Sequence, residues 1–254
     1  MNYKVEGNGE TLVFLHGLSD NLLYWEFLAS SLKDDYQVIR LDFRGHGESE
    51  LDDDEITIGQ FANDLTNLLE ELDVDKINLI GFSLGGAVAL DFAVKYPEKV
   101  SSLVLMSSFF KINEGSEKIL IQLKDALESS FEDFYDLILP KVLCPDVIDE
   151  NKNELVALKE IASKTANTQA YIKAIDACLD FDVEDRLCEI DIPTLILAGK
   201  YDGMFELDTQ IQLQSKIKDS KLIVFDNVKH NLLVGENNLE ILKVIKNFIQ
   251  KESK

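Results

Sequence analysis

A serine in a glycine-rich turn is the first residue of this chain that could perform chemistry. Ser83 stands at the centre of a G-x-S-x-G pattern that runs from Gly81 to Gly85. Apolar residues typical of a buried strand precede the turn, and small and apolar residues at helical spacing follow it. A sharp strand-to-helix turn would hold the serine Oγ above the sheet, beside a helix N-terminus that favours negative charge. We therefore predict that Ser83 is a nucleophile.

A serine hydroxyl needs a base to take its proton, and the base needs a carboxylate to orient it. The chain contains three histidines, and among them only His230 follows Ser83 in the sequence. Asp202 lies in a Gly-x-x-Asp turn after the strand that is predicted to precede the last one. Ligands bind at the carboxyl ends of strands in open α/β sheets, so these side chains would meet at one edge. The predicted catalytic residues are Ser83, Asp202 and His230.

Three other polar residues compete for these roles. Asp226 is the closest rival as the orienting acid, but its place four residues before the base favours exposure on the surface. His16 is expected to fix a loop by hydrogen bonding rather than to transfer protons. His46, in a turn between two glycines, is expected to be structural because no acid partner for it is evident in the sequence.

The pattern of apolar residues predicts the elements that position the site. Strands and helices alternate through most of the chain, which favours a parallel sheet with right-handed crossovers. The predicted strands span residues 2–6, 11–16, 37–41, 77–82, 100–106, 192–198 and 221–225. The predicted helices span residues 22–32, 57–72, 84–96, 207–217 and 239–249.

The alternation stops between residues 109 and 185. No strand-like apolar run occurs there, and helical stripes such as Leu120 and Leu123 take its place. We predict that residues 109–185 form a helical cap or lid. They would interrupt a single α/β core domain that comprises residues 1–108 and 186–254.

The net charge of −22 is the unusual feature of the composition. It argues against nucleic acids and anionic membrane surfaces as partners, because both would repel the protein. A solvated acidic surface that maintains solubility is the favoured interpretation, and a preference for neutral or cationic substrates is the alternative. The acidic run at residues 52–55 is predicted to be a loop.

Other features of the composition suit a cytoplasmic enzyme. Hydrophobic residues make up 46% of the chain, enough for a large core. Cys144, Cys178 and Cys188 show no C-x-x-C spacing, so neither a disulfide framework nor a zinc site is predicted. No signal peptide or membrane-spanning run is evident. No cofactor or metal is expected, and the protein would be a monomer or a homodimer.

Several segments together resemble the α/β-hydrolase fold superfamily, in its lidded, single-domain serine esterase and lactonase type. The resemblance covers nearly the whole chain. It implies a mostly parallel, doubly wound sheet, with a helical lid inserted after the sixth strand and the triad in the order Ser83, Asp202, His230. It also makes Asp42 a residue that organises a loop. The matching segments are residues 14–17, 42–49, 81–86 and 199–202, and His230.

The resemblance also implies an oxyanion hole made of two backbone N–H groups, those of Leu18 and Leu84. Such donors point at negative charge that exists only in the tetrahedral state. Aromatic and apolar residues near the predicted loops are candidates for the substrate pocket. These are Trp25, Phe82, Phe109, Phe110, Met204, Phe205 and Leu232.

The expected function is therefore that of a serine hydrolase. It would cleave a small, largely apolar carboxylic ester or lactone through an acyl-enzyme, with that small molecule as its partner. No basic cluster is evident beside the triad, which disfavours coenzyme A and dicarboxylate substrates. Carbon–carbon bond hydrolysis, acyl transfer, thioester hydrolysis and a lyase reaction remain open, as does a receptor that binds without turnover.

Overall fold

A single seven-stranded sheet lies at the centre of the computed structural model, which describes residues 1–51 and 55–252. The strand order is β1-β3-β2-β4-β5-β6-β7. β1 is antiparallel to β3 at one edge, and every other pairing is parallel. The strands are β1 (Tyr3–Glu6), β2 (Thr11–Leu15), β3 (Gln37–Leu41), β4 (Ile77–Phe82), β5 (Val100–Met106), β6 (Thr194–Gly199) and β7 (Ser220–Phe225).

Both faces of this sheet are covered by helices. Successive residues of β2 alternate between two hydrophobic clusters: Leu12 and Phe14 belong to the one that contains α10, whereas Val13 and Leu15 belong to the other. This confirms the mostly parallel, doubly wound α/β fold. The helices are α1 (Glu26–Leu32), α2 (Ile58–Glu71), α3 (Leu84–Lys95), α4 (Glu114–Ser129), α5 (Phe131–Val142), α6 (Pro145–Glu150), α7 (Lys152–Thr165), α8 (Thr168–Leu179), α9 (Leu207–Lys216) and α10 (Asn237–Glu252).

The predicted strands and helices of the core occur, with differences at their ends. The helix expected from residue 22 begins instead as a 3-10 turn, Leu22–Trp25, before α1. The Asn21 side chain causes this tight start because it accepts a hydrogen bond from the Leu23 N–H at 2.9 Å. Residues 52–54 of the loop predicted at residues 52–55 lie outside the described residues, and Glu55 lies in neither a helix nor a strand.

The five helices α4 to α8 lie between β5 and β6, and we call them the helical segment. They follow the fifth strand of the sheet, not the sixth, so the predicted insertion point is corrected. The insertion point comes one strand earlier because only β1, β2 and β3 precede β4, the strand that leads to Ser83.

Hydrogen bonds attach the helical segment to loops at the carboxyl ends of the last two strands. The Ser116 hydroxyl donates to the Met204 carbonyl at 2.8 Å. The Gly203 N–H donates to the Lys141 carbonyl at 3.2 Å, and the loop after β7 bonds to α5 in the same way. The segment therefore covers the edge of the sheet where the predicted catalytic residues lie.

Within residues 1–51 and 55–252, no helix is both long and apolar enough to cross a membrane.

Candidate active site

The turn at Ser83 is built as a sharp strand-to-helix junction. Ser83 has φ 53° and ψ −117°, a strained conformation for a residue with a side chain. Glycines make the turn possible: a Cβ on Gly85 would collide with the Leu15 carbonyl oxygen, and one on Gly81 would collide with Gly85 itself. The Ser83 N–H donates to the Met106 carbonyl at 2.9 Å, which anchors the turn to the neighbouring strand.

The structure brings Ser83, His230 and Asp202 into one hydrogen-bonded line. His230 Nε2 lies 2.9 Å from Ser83 Oγ, and His230 Nδ1 lies 2.8 Å from Asp202 Oδ2. The ring nitrogen that faces the carboxylate is therefore the donor, and Nε2 is left as an acceptor for the serine hydroxyl proton. All three residues are largely withdrawn from solvent, with Ser83 8% exposed and His230 4% exposed.

Backbone groups hold the Asp202 carboxylate in place. Its Oδ1 accepts hydrogen bonds from the N–H groups of Met204 at 2.7 Å and Phe205 at 3.0 Å. Its other oxygen is thus free to face the imidazole. The rival acid, Asp226, lies on the surface with its side chain 77% exposed, and it pairs with Lys200 at 2.8 Å. Among the residues described, Asp202 is therefore the candidate acid that contacts His230.

His16 fixes the loop that follows β2. Its Nδ1 lies 2.8 Å from the Gly17 carbonyl, and the Phe43 N–H donates to its Nε2 at 3.0 Å. Burial lowers the pKa of His16 to about 4, so the ring is neutral and can donate from one nitrogen while it accepts at the other. This arrangement fits a loop-fixing role. His46 is also buried, with a pKa lowered to about 3 by burial, and it packs on Tyr171.

Asp42 organises the same region. One carboxylate oxygen accepts from the Leu22 N–H at 2.6 Å, and the other accepts from the Glu48 N–H at 2.9 Å. These bonds tie the loop after β3 to the loop after β2. The two predicted oxyanion donors, Leu18 and Leu84, lie in the loop after β2 and at the first residue of α3, and both line the same cavity as Ser83.

A cavity of about 640 Å³ opens above Ser83 between the core and the helical segment. Four of the seven predicted pocket residues line it. These are Phe82, Phe109, Met204 and Phe205.

The structure places the other three predicted pocket residues in the hydrophobic core. Trp25 is fully buried against Phe14, at 5.1 Å between ring centroids. Leu232 is fully buried in the cluster that contains α10, and Phe110 is 2% exposed in the opposite cluster. Although they lie next to functional loops, these three residues do not line the cavity, because their side chains are packed within the hydrophobic clusters.

Half of the residues that line the cavity come from the helical segment and its connections, and residue types alone could not assign them to the pocket. Its apolar stripes are visible in the sequence, but the face of each helix that meets the cavity depends on tertiary packing. The lining residues from this segment are Leu120, Phe131, Phe134, Tyr135, Ile138, Leu139, Val142, Leu143, Leu155, Leu158, Ile161, Ala162, Thr165, Tyr171 and Cys178.

A carboxyl group in this cavity was not singled out from the sequence. Asp20, in the loop after β2, lines the cavity together with Leu18 and Ser83. Burial raises the pKa of Asp20 to about 7, and attraction to His230 acts in the opposite direction. No lysine or arginine is present among the described residues that line the cavity.

No group of three or more His, Cys, Asp or Glu residues in the described part of the chain is arranged to hold a metal ion. The side chains aligned at the site are a serine hydroxyl, an imidazole and an oriented carboxylate.

Comparison with known proteins agrees with this geometry. A family described as "alpha/beta hydrolase fold" matches residues 10–236. The chain is 27% identical over 243 residues to the putative carbamate hydrolase RutD of Rhizobium rhizogenes, with 93% of each chain covered.

Two solved structures show the same fold over nearly the whole chain. A crystal structure of MGS-M2, an alpha/beta hydrolase enzyme from a deep-sea metagenome library, superposes with a TM-score of 0.91 at 22% identity, covering 98% of this chain and 94% of that one. The enol-lactonase from Burkholderia xenovorans superposes with a TM-score of 0.90 at 21% identity, covering 98% and 96%.

Proposed function

Because this chain belongs to the α/β-hydrolase fold family, we propose that it is a serine hydrolase that cleaves a small, largely apolar carboxylic ester or lactone. The observation that carries the proposal is the hydrogen-bonded line from Ser83 through His230 to Asp202. A binding protein would need neither of these two contacts, whereas nucleophilic catalysis needs both of them.

In the acylation step, Ser83 Oγ attacks the substrate carbonyl carbon while His230 Nε2 takes the hydroxyl proton. The Asp202 carboxylate stabilises the imidazolium that forms. The carbonyl oxygen becomes an oxyanion, which would accept hydrogen bonds from the N–H groups of Leu18 and Leu84. When the tetrahedral state collapses, the C–O bond to the alcohol breaks and the imidazolium gives its proton to the departing oxygen.

In the deacylation step, a water molecule takes the place of the alcohol. His230 Nε2 removes a proton from this water as it attacks the acyl carbon. Collapse of the second tetrahedral state breaks the bond to Ser83 Oγ, which recovers its proton from the imidazolium. The products are a carboxylic acid and the alcohol, or one hydroxy acid from a lactone.

The walls of the cavity support an uncharged, largely apolar acyl group. They consist mostly of aliphatic and aromatic side chains, and the described lining residues include no lysine or arginine. Phosphates and carboxylates on a substrate are usually met by such cations, so coenzyme A thioesters and dicarboxylates fit less well. The putative carbamate hydrolase among the similar proteins is named as a hydrolase, which supports this reaction class.

The first prediction concerns turnover of p-nitrophenyl butyrate, followed by release of p-nitrophenolate. Ser83→Ala removes the nucleophile and should lower kcat by about 10⁴-fold or more, because the base cannot compensate for a missing hydroxyl. Ser30→Ala is the matched control, since Ser30 is exposed on α1 and should give wild-type rates. A Ser83→Ala protein that folds and retains near-full activity would show that the proposed nucleophile is wrong.

A further inference from the structure

The Asp20 carboxyl group is an unusual feature of the cavity wall. Asp20 is the only aspartate or glutamate among the described lining residues. Its carboxylate has no hydrogen bond or ion pair with another residue in the described part of the chain, unlike Asp42 and Asp202, which are held by backbone N–H groups. Asp20 is only partly exposed to solvent, and a carboxylate without a partner in a largely apolar cavity loses part of its hydration, so it calls for an explanation.

Asp20 lies beside the position where a substrate carbonyl would bind. A Cβ placed on Gly17 would lie 3.1 Å from Asp20 Oδ2 and 2.9 Å from the edge of the Phe82 ring. The carboxylate and this ring therefore flank Gly17, the residue before the predicted oxyanion donor Leu18. Attraction between Asp20 and His230 also places the carboxyl group within electrostatic reach of the base.

Two aromatic rings complete the surroundings of Asp20. Tyr24 stacks on Phe82 with ring centroids 4.7 Å apart, and both residues line the cavity. The Tyr24 hydroxyl donates to Asn231 Oδ1 at 3.1 Å, which fixes the ring beside the base. Burial raises the pKa of Tyr24 well above its usual value, and the negative charge of Asp20 adds to this shift.

A carboxylate next to aromatic rings is the arrangement that binds a positively charged amine. The carboxylate supplies the opposite charge, and the stacked rings supply an apolar wall for the carbon atoms of the amine. We propose that Asp20 selects esters that carry an ammonium group close to the carbonyl attacked by Ser83. This inference rests on the proposed function, and it specifies in addition that the substrate carries a positive charge. The same carboxylate would repel an anionic substrate and would oppose the oxyanion unless a cation accompanies it.

The protonation of Asp20 agrees with this role. With its pKa raised to about 7 by burial, the carboxyl group is easily protonated when no cation is near. A bound ammonium group favours the carboxylate and lowers that pKa again. The titratable groups that share its surroundings are His230, Tyr24 and Tyr171. The pKa of Tyr171 is raised mainly by burial.

A pair of esters that differ only in charge tests the proposal. Choline butyrate carries a trimethylammonium group, and 3,3-dimethylbutyl butyrate carries a neutral group of the same shape. We expect the wild-type protein to prefer the choline ester by about tenfold or more in kcat/KM, measured by titration of the released acid in a pH-stat. Equal rates on the two esters, or a preference for the neutral one, would overturn the inference.

Variants at Asp20 assign the preference to this residue. Asp20→Asn should lower kcat/KM for the choline ester and bring the ratio of the two kcat/KM values close to one. Asp20→Ser is a second variant with the same expectation. Asp34→Asn, which removes a carboxylate from the exposed turn that follows α1, should keep the wild-type ratio. A preference that persists in both Asp20 variants would contradict the role of Asp20.

A binding measurement separates this inference from the catalytic proposal. Calorimetry on the Ser83→Ala protein compares choline with 3,3-dimethylbutan-1-ol, and it needs no turnover. Choline should bind more tightly, and the difference should disappear when Asp20→Asn is added. If Ser83 proves unreactive but this difference is found, only the proposed function fails. If Ser83 reacts as proposed and choline binds no better than the alcohol, only the inference about Asp20 fails.

Discussion

At the scale of single residues, the site contains two carboxylates in different situations. Asp202 is held by two backbone N–H groups and by His230, so its negative charge is compensated. Asp20 faces the cavity without a partner among the described residues, and burial raises its pKa from 3.8 to about 7. One carboxylate is thus prepared for orienting the base, and the other is left available for a ligand.

The pKa of Asp20 predicts how its replacement changes stability with pH. The folded protein holds the Asp20 proton more tightly than the unfolded chain, so this residue lowers the free energy of unfolding as pH rises from about 4 to about 7. Asp20→Asn removes that loss. The Tm of Asp20→Asn minus the Tm of the wild type should therefore be about 2–4 °C higher at pH 8 than at pH 5, after allowance for solvent screening.

Differential scanning calorimetry at the two pH values measures this difference. Asp34→Asn serves as the control for loss of one surface charge, and its Tm relative to wild type should be the same at both. An Asp20→Asn protein whose relative Tm does not change between pH 5 and pH 8 would show that the carboxyl group is not destabilised in the folded state.

At the scale of elements, the core was predictable from local patterns but the helical segment was not. Strands β2, β4, β5 and β6 are short, mostly apolar runs. The Thr57 side chain caps α2 through the Gln60 N–H at 3.0 Å, as its sequence pattern indicates. The meeting of Ser83, Asp202 and His230 follows directly from parallel strands that end at one edge. The wall of the cavity depends instead on which faces of α4 to α8 meet, and helical periodicity does not determine that.

Asp20 illustrates a further limit of the sequence. Its position four residues after His16 is compatible with an exposed loop, which is the usual place for an aspartate. Only the packing of Tyr24 and the helical segment around the loop encloses it. Phe110 shows the converse, since its position just after β5 suggested the pocket, but its side chain packs into the core.

The exposed apolar residues of helix α7 predict that kcat/KM depends on the length of the acyl chain of the substrate. None of its residues is buried, and Leu158 and Ile161 line the cavity while they remain 49% and 62% exposed. A longer acyl chain would cover this apolar surface, and a short one would not reach it. Replacing both residues with serine should lower kcat/KM for p-nitrophenyl hexanoate by about tenfold and leave p-nitrophenyl acetate within about twofold.

A control for this prediction exists on the same helix. Val156 is 51% exposed but does not line the cavity above Ser83. Val156→Ser should therefore change neither rate. Equal losses on the acetate and hexanoate esters in the double variant would indicate damage to the fold rather than loss of an acyl-binding surface.

At the scale of the whole molecule, the charge distribution favours the approach of cations. The net charge is −22, and many of the positive side chains are engaged in ion pairs on the surface, such as Lys159 with Asp136 at 2.6 Å. Surface pairs of this kind contribute little to stability, but the excess of carboxylates creates a long-range field that salt screens. Asp20 adds a local charge inside the cavity, where salt screens it less.

The central claim is that Ser83 is a nucleophile activated by His230, and covalent labelling tests it most directly. A fluorophosphonate probe should lose fluoride and form a single bond to Ser83 Oγ, which peptide mass spectrometry can locate. We expect one adduct, on the peptide that contains Ser83, in the wild-type and Ser30→Ala proteins and none in Ser83→Ala. A folded wild-type protein that remains unlabelled, or an adduct on a different residue, would contradict the account.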